Sequence, residues 1–188
     1  VGGEEKMETA ANDESDNEDA EELDAMEERD ITEDNSFMDT FYGLSSSNPM
    51  ERSKAANTML SLCLTGPQAN IKDAVYALRR LLNGLCSGRA ASRQGNASAL
   101  ASFLRLSLEG GQLHEIKNQD DSDQANVDKT ILEFVRYRLL KATDPTSTAG
   151  KKKGSEERDY QFGRLFGILS VARSGILLPK KGSDMDNI

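Results

Sequence analysis

The sequence predicts an all-α fold: short helices stacked as antiparallel pairs, as in a fragment of an α-solenoid, preceded by a disordered acidic tail. Three observations lead there. From Phe37 onward, apolar residues recur at helical spacing, and no segment alternates with period two, so no sheet is expected. Short breaks containing Gly, Pro and Asn separate these segments, and joints this tight imply helical hairpins. The charge is divided unevenly. Residues 1–36 carry 16 Asp and Glu against Lys6 and Arg29, a net of −14; the rest carry 16 against 21 Lys and Arg, a net of +5, together the chain's −9. No repeat of fixed length is visible, although divergent helical repeats often hide it.

Residues 1–36 have few apolar side chains and one dominant sign of charge, so they cannot bury enough surface to offset ordering entropy. They read as a disordered spacer, or as a decoy for basic partners or a brake on nucleic-acid binding. The helical-repeat domain is expected over 37–178. It opens with a short helix in "FMDTFYGLS". Asn48 can cap, and Pro49 suits the first turn of, a helix running to about Leu64, stopped by Gly66-Pro67. The next, about 68–86, is the cleanest amphipath. Ile71, Ala74, Val75, Leu78, Leu81, Leu82 and Leu85 fill one arc; Lys72, Tyr76, Arg79, Arg80 and Asn83 fill the other. Gly88 is placed as a C-terminal cap, and a helix over 89–109 follows at once, ended by Gly110-Gly111.

Residues 111–124 read as a polar loop, 125–142 as a fifth helix, and 143–157 as a flexible basic linker. The sixth helix is "RDYQFGRLFGILSVARSGIL", 158–177, the most apolar stretch; 179–188 reads as a frayed end. Phe162, Leu165, Phe166, Leu169, Ala172 and Ile176 form one stripe of this helix, and Gly163, Gly167, Ser170 and Ser174 form a second, of small residues. Tyr160, Ile168 and Val171 add a third apolar side, which predicts an inner helix with the glycines as its packing seam. The run is shorter than the roughly 18–20 apolar residues of a membrane span, and no strand precedes the glycines to make a phosphate loop.

Composition narrows the class. Hydrophobic residues are 37% and aromatics 5%, consistent with a chain of which part does not fold. A start at Val1 rather than Met reads as a fragment or processed chain, and the acidic opening does not look like a signal peptide. Cys63 and Cys86, each in an apolar helical context, read as reduced thiols of an intracellular protein.

Little catalytic chemistry is visible. His114 is the single histidine, in the expected polar loop without apolar neighbours to hold it for a catalytic triad. No zinc spacing, Walker loop or dinucleotide fingerprint occurs. Asp120-Asp121 and Asp184/Asp186 read as solvated charge rather than Mg²⁺ ligands. No metal, cofactor, small-molecule substrate or membrane contact is expected. The basic residues carry more information. Lys72, Arg79 and Arg80 share one helix face, and Arg89 and Arg93 follow at i,i+4 spacing in the first turns of the next helix. The face is either solvated or binds phosphate or a partner, where arginine can make bidentate contacts. "GKKKG" (150–154) and "PKKG" (179–182) are weak nuclear-targeting patches.

Three blocks in order, "FYGLSSSNPMERSKAANTML" (41–60), "YALRRLLNGLCSGRAASRQGNASAL" (76–100) and "ERDYQFGRLFGILSVARSGIL" (157–177), resemble the N-terminal region of the DNA polymerase phi family over about 37–178. "LRRLLNGLCSGR" and "GRLFG" are the most specific parts; Asn96 departs, standing where an apolar residue is expected. The resemblance implies an armadillo/HEAT-like helical protein of the nucleus and nucleolus. It would act in ribosomal RNA gene transcription and ribosome biogenesis, with rDNA chromatin or pre-rRNA and nucleolar proteins as partners. It supplies no catalytic residues, and no two-carboxylate metal site on a sheet is visible for nucleotide transfer. Lys72, Arg79, Arg80, Arg89 and Arg93 are then expected to form the electropositive binding face. The alternatives are a DNA-polymerising enzyme, as the family name suggests, and a cytoplasmic helical-repeat adaptor.

Overall fold

A computed structural model describes residues 34–120, 129–146 and 154–178. These residues form seven α-helices and no strand. The expected disorder of the tail falls on residues 1–33, outside the described residues, as do 147–153 of the expected linker and the 179–188 end.

Helix α1 (Asp34–Gly43) begins three residues before the expected domain boundary. Phe37 and Phe41 meet edge to face, 5.3 Å between centroids, and both rings contact Tyr76. Tyr76 is therefore half-buried between helices, not part of a solvated arc. Helix α2 (Pro49–Leu60) starts as the sequence predicts, with the Asn48 side chain accepting from Met50 N. It runs on into a π-type turn, Ser61–Thr65, closed by Gly66 N donating to Ser61 O at 2.6 Å.

Helix α3 (Ile71–Gly84) is capped by Asn70, and α4 (Ala90–Glu109) follows after a short connection. Together they make the expected hairpin. Six of the seven residues on the predicted apolar arc of α3 are buried, and Ile71 is half-buried. Helix α4 is the axis of the domain, in contact with α2 and α3 and with the later helices α5 and α7. Phe103 and Leu104 are wholly buried at its centre. Burial of such a side chain stabilises the fold by about 1.5–3 kcal/mol.

The expected polar loop at 111–124 is wrong over its first part, where the chain forms α5 (Gln112–Gln119). Gly111 takes a positive φ of 75°, which turns the chain sharply out of α4. Leu113 and Ile116, one turn apart, are fully buried, and Gln112 Nε2 donates to Leu64 O at 2.8 Å. His114 accordingly lies exposed on a short helix, not in a loop. Helix α6 (Ile131–Ala142) starts at a capping box, in which Thr130 and Glu133 each satisfy the other's backbone N–H.

Helix α7 (Gly154–Ser174) begins inside the segment expected to be linker. It is not the inner helix that its apolar sides predict. Leu165 is 62% and Ile168 56% exposed, and Phe162 and Leu169 are also open. What it buries is the stripe of small residues. Gly163, Gly167, Ser170 and Ser174 all face the core, and Ser170 Oγ donates to Ala97 O of α4 at 2.9 Å. A Cβ on Gly163 would lie 2.5 Å from Cys86 Sγ, and one on Gly167 would overlap Leu139.

Neither Cys63 nor Cys86 is in a disulfide. Burial, aided by the nearby Asp73 charge, pushes the Cys63 thiol up to about 12. Asn96, the departure from the apolar pattern, is buried but satisfied. Its Nδ2 donates to Ser92 O at 2.8 Å, while Gly84 leaves room for the amide where any Cβ would overlap it.

Candidate functional site

The five cations singled out by the sequence begin on neighbouring turns but are steered in different directions. Adjacent residues on a helix point about 100° apart, so Arg79 and Arg80 leave α3 in different directions. Arg80 lies over the Phe41 ring, 5.7 Å from its centroid, on the α1 side. Arg79 turns to the other flank and meets Asp120 at the end of α5. Its Nη2 and Nε donate to Asp120 Oδ1 at 2.6 and 3.0 Å.

Asp120 is a hub. Its side chain is 0% exposed, and Arg138 of α6 approaches the second carboxylate oxygen, Nε to Oδ2 at 2.8 Å. That second contact is an ion pair without hydrogen-bond alignment. One buried carboxylate thus ties α3 and α6 to the end of α5. Removing it would take a buried counter-charge from two guanidiniums at once.

Arg93, one turn into α4, is also committed internally. Its Nη1 donates to Ser87 O and to Asp159 Oδ1 of α7, the latter at 3.2 Å, and its guanidinium lies over the Phe162 ring, 5.0 Å from the centroid. Arg89 is the N-cap residue of α4, not part of its first turn; it is exposed, with Nη2 within 3.5 Å of Ser45 O. Lys72 is exposed on the first turn of α3. The structure therefore leaves Lys72, Arg80 and Arg89 outward and outside ion pairs, whereas Arg79 and Arg93 are held by carboxylates.

Two charged groups central to this arrangement, Asp120 and Arg138, carry no local signal in the sequence. Asp120 reads there as one of a solvated pair, and it becomes a hub only because α5 carries it into the angle between α3 and α6. The exposed Arg105 of α4 and Arg173 of α7 also come together, lining one shallow depression with Ser98 and Ser102. They lie 68 positions apart, beyond any spacing argument.

Among the described residues no cluster of three His, Cys, Asp or Glu side chains is placed to hold a metal ion, and no helix is long and apolar enough to cross a membrane. What the surface offers is cation chemistry: guanidinium and ammonium groups that can meet phosphate or carboxylate.

Comparison with known proteins gives this surface a context. The chain is 32% identical over 118 residues to the rDNA transcriptional regulator pol5 of Schizosaccharomyces pombe, covering 63% of this chain and 10% of that protein. It is 27% identical over 152 residues to Myb-binding protein 1A of Mus musculus, 81% of this chain and 9% of that protein, and 28% identical over 145 residues to the Rattus norvegicus protein of the same name, 77% and 9%. The chain therefore spans about a tenth of the length of these relatives. No solved structure matches it significantly. The family model described as DNA polymerase phi matches residues 76–187, which take in α4 and most of α3, the Asp120 hub and the glycine seam of α7, and the chain belongs to that family.

Proposed function

We propose that this chain is part of a nuclear, nucleolar helical-repeat scaffold, an armadillo-like α-solenoid, that regulates ribosomal RNA gene transcription and ribosome assembly. The observation that carries the reading is family membership, joined to the name of one relative, a regulator of rDNA transcription, and of two others, proteins that bind Myb. The role is one of binding, not catalysis. The relatives are named for regulation and binding, although the family name speaks of a polymerase.

The exposed cations Lys72, Arg80 and Arg89 are the groups through which nucleic acid would be met. Arg79 and Arg93 support them from within, holding α3 and the α3–α4 connection in place. The net −14 of residues 1–36 is of the sign to compete for the same cations.

A salt titration tests the binding face. Each phosphate contact contributes to the slope of log affinity against log salt, close to one unit per contact. Lys72→Glu, Arg80→Glu and Arg89→Glu together should lower the affinity for an rDNA duplex or a pre-rRNA fragment and flatten that slope. An unchanged affinity and slope would remove these residues from the interface. Primer extension with Mg²⁺ tests the polymerase reading suggested by the family name, and nucleotide incorporation by the purified protein would overturn the non-catalytic role. Imaging of the tagged full-length protein separates a nucleolar scaffold from a cytoplasmic adaptor.

A further inference from the structure

One face of α4 stays open between its neighbours α2 and α7. Gln94, Ser98, Ala101, Ser102 and Arg105 fall at i, i+4, i+7, i+8 and i+11, so they line a single side of the helix. On the α2 side this face floors a depression of about 400 Å³, walled by Arg52, Ser53 and Asn57. On the α7 side it floors a second, of about 270 Å³, which Arg105 and Arg173 both line. Ser98 and Ser102 belong to both, so the two join into one groove along α4. Among the described residues no carboxylate lines either part. We propose that this groove binds an extended, acidic peptide segment of a protein partner, at a surface separate from the cations assigned to nucleic acid above and without depending on that reading.

Arg105 and Arg173 call for an acid. Both are exposed, and among the described residues neither has an ion pair. Each can therefore offer its fork of N–H groups to a carboxylate. Arg52 is different. Its Nη1 donates to Ser46 O at 2.8 Å and to Ser47 O at 3.0 Å, which fixes it as a wall at the far end. The remaining polar lining is amide and hydroxyl, from Asn57, Gln94 and the serines. Such groups both donate and accept. A peptide backbone carries one donor and one acceptor on each residue, so it can use both kinds. A phosphodiester backbone offers acceptors only, and no aromatic ring lines the groove for a base to stack on. From Gln94 to Arg105 the helix rises about 16 Å, the span of about five residues of extended chain. Ser98, Ala101 and Ser102 keep the floor low, and a larger side chain there would fill it.

The test is nitrogen-15 NMR of the full 188-residue chain, following the Nε–Hε signals of Arg105 and Arg173 and the side-chain amide of Asn57. The probes are the capped peptide acetyl-Ala-Glu-Ala-Glu-Ala-amide, its twin with Gln in place of both Glu, and a ten-nucleotide single-stranded RNA. The Glu peptide is expected to shift all three signals saturably, to leave the Arg80 Nε–Hε signal in place, and to bind more tightly than its twin. Arg105→Gln and Arg173→Gln should each weaken binding about tenfold, and Arg80→Gln should leave it unchanged. Ser98→Leu, at an exposed position, keeps every charge but blocks the groove, and should also weaken binding. No saturable shift with the Glu peptide would overturn the proposal. So would equal affinity for the twin, or arginine variants that bind like the parent. A Ser98→Leu protein that binds like the parent would mean that charge alone draws the peptide and that the groove is not its site. If the RNA moves the same signals at lower concentration than the Glu peptide, the groove belongs to nucleic acid and the proposal fails.

Discussion

Gly95 of α4 lies directly against the carbonyl oxygen of Leu44, so close that a Cβ on Gly95 would overlap it. Leu44 is fully buried at the end of the α1 segment. The glycine thus sets how closely α4 passes the α1–α2 connection. The obstructing atom is backbone and cannot swing away. Gly95→Ala should therefore destabilise the domain by about 1–3 kcal/mol, despite the roughly 1 kcal/mol that Ala gains over Gly in helix propensity. Gly163→Ala, which meets Cys86 Sγ and the backbone of 85–86, should come next. Gly167→Ala should be mildest, because only the Leu139 side chain stands in its way, whereas Gly167→Leu should loosen the fold by overpacking. Thermal melts of the four variants would give the order, and a Gly95→Ala protein as stable as the parent would show that this approach does not constrain the fold.

The Asp120 hub predicts a second asymmetry. Asp120→Ala should cost about 3 kcal/mol, because two guanidiniums lose a buried counter-charge at once. Arg79→Ala should cost far less, since its side chain is 43% exposed and Asp120 keeps Arg138. Lys72→Ala should lie within about 0.5 kcal/mol of the parent. Urea unfolding distinguishes these cases, and equal losses for Asp120→Ala and Arg79→Ala would mean that Arg138 contributes nothing to the hub.

These relationships also show where the sequence is legible. Helix α3 can be read because one arc of seven apolar residues faces one core, so periodicity reports burial directly. Helix α5 cannot, because Leu113 and Ile116 are its only large apolar residues and two such positions make no pattern. Helix α7 is legible as a helix but not in its orientation. Several apolar sides compete there, and the side that is covered is decided by how near its neighbours can come, which depends on Gly163 and Gly167 rather than on hydrophobicity. The candidate site divides in the same way. The basic residues and their helices can be read from the sequence, but the partner of Arg79 stands 41 positions away, on an element the pattern does not reveal.

The capping box at α6 predicts a pH dependence. Backbone and side-chain hydrogen bonds from Thr130 hold the Glu133 carboxyl below its ordinary value. As pH falls, the unfolded chain takes up this proton first. The stabilisation is complete above the unfolded Glu value of about 4.3 and is lost as pH falls through the lower folded value. Glu133→Gln should remove this part of the acid sensitivity, and Thr130→Ala should lower stability by about 1 kcal/mol at neutral pH. Stability curves for parent and Glu133→Gln that stay parallel from pH 6 to pH 3 would show that the reciprocal bond does not form in solution.

The outward apolar side of α7 predicts tolerance where its composition suggests intolerance. Were α7 an inner helix, a lysine at Leu165 or Ile168 would bury a charge at a cost of several kcal/mol. Both side chains are more than half exposed, so Leu165→Lys and Ile168→Lys should each change stability by no more than about 0.5 kcal/mol. Phe166, one position from Leu165, turns inward and packs against the core. Phe166→Ala should therefore cost at least about 1–2 kcal/mol through lost burial and the cavity left behind. Urea midpoints of the three variants separate the two orientations. If both lysines collapse the midpoint while Phe166→Ala leaves it in place, α7 is rotated in solution and the glycines do not form the seam. The lysine variants should also bind less of a hydrophobic dye such as ANS than the parent, because they interrupt the apolar surface formed by Phe162, Leu165, Ile168 and Leu169.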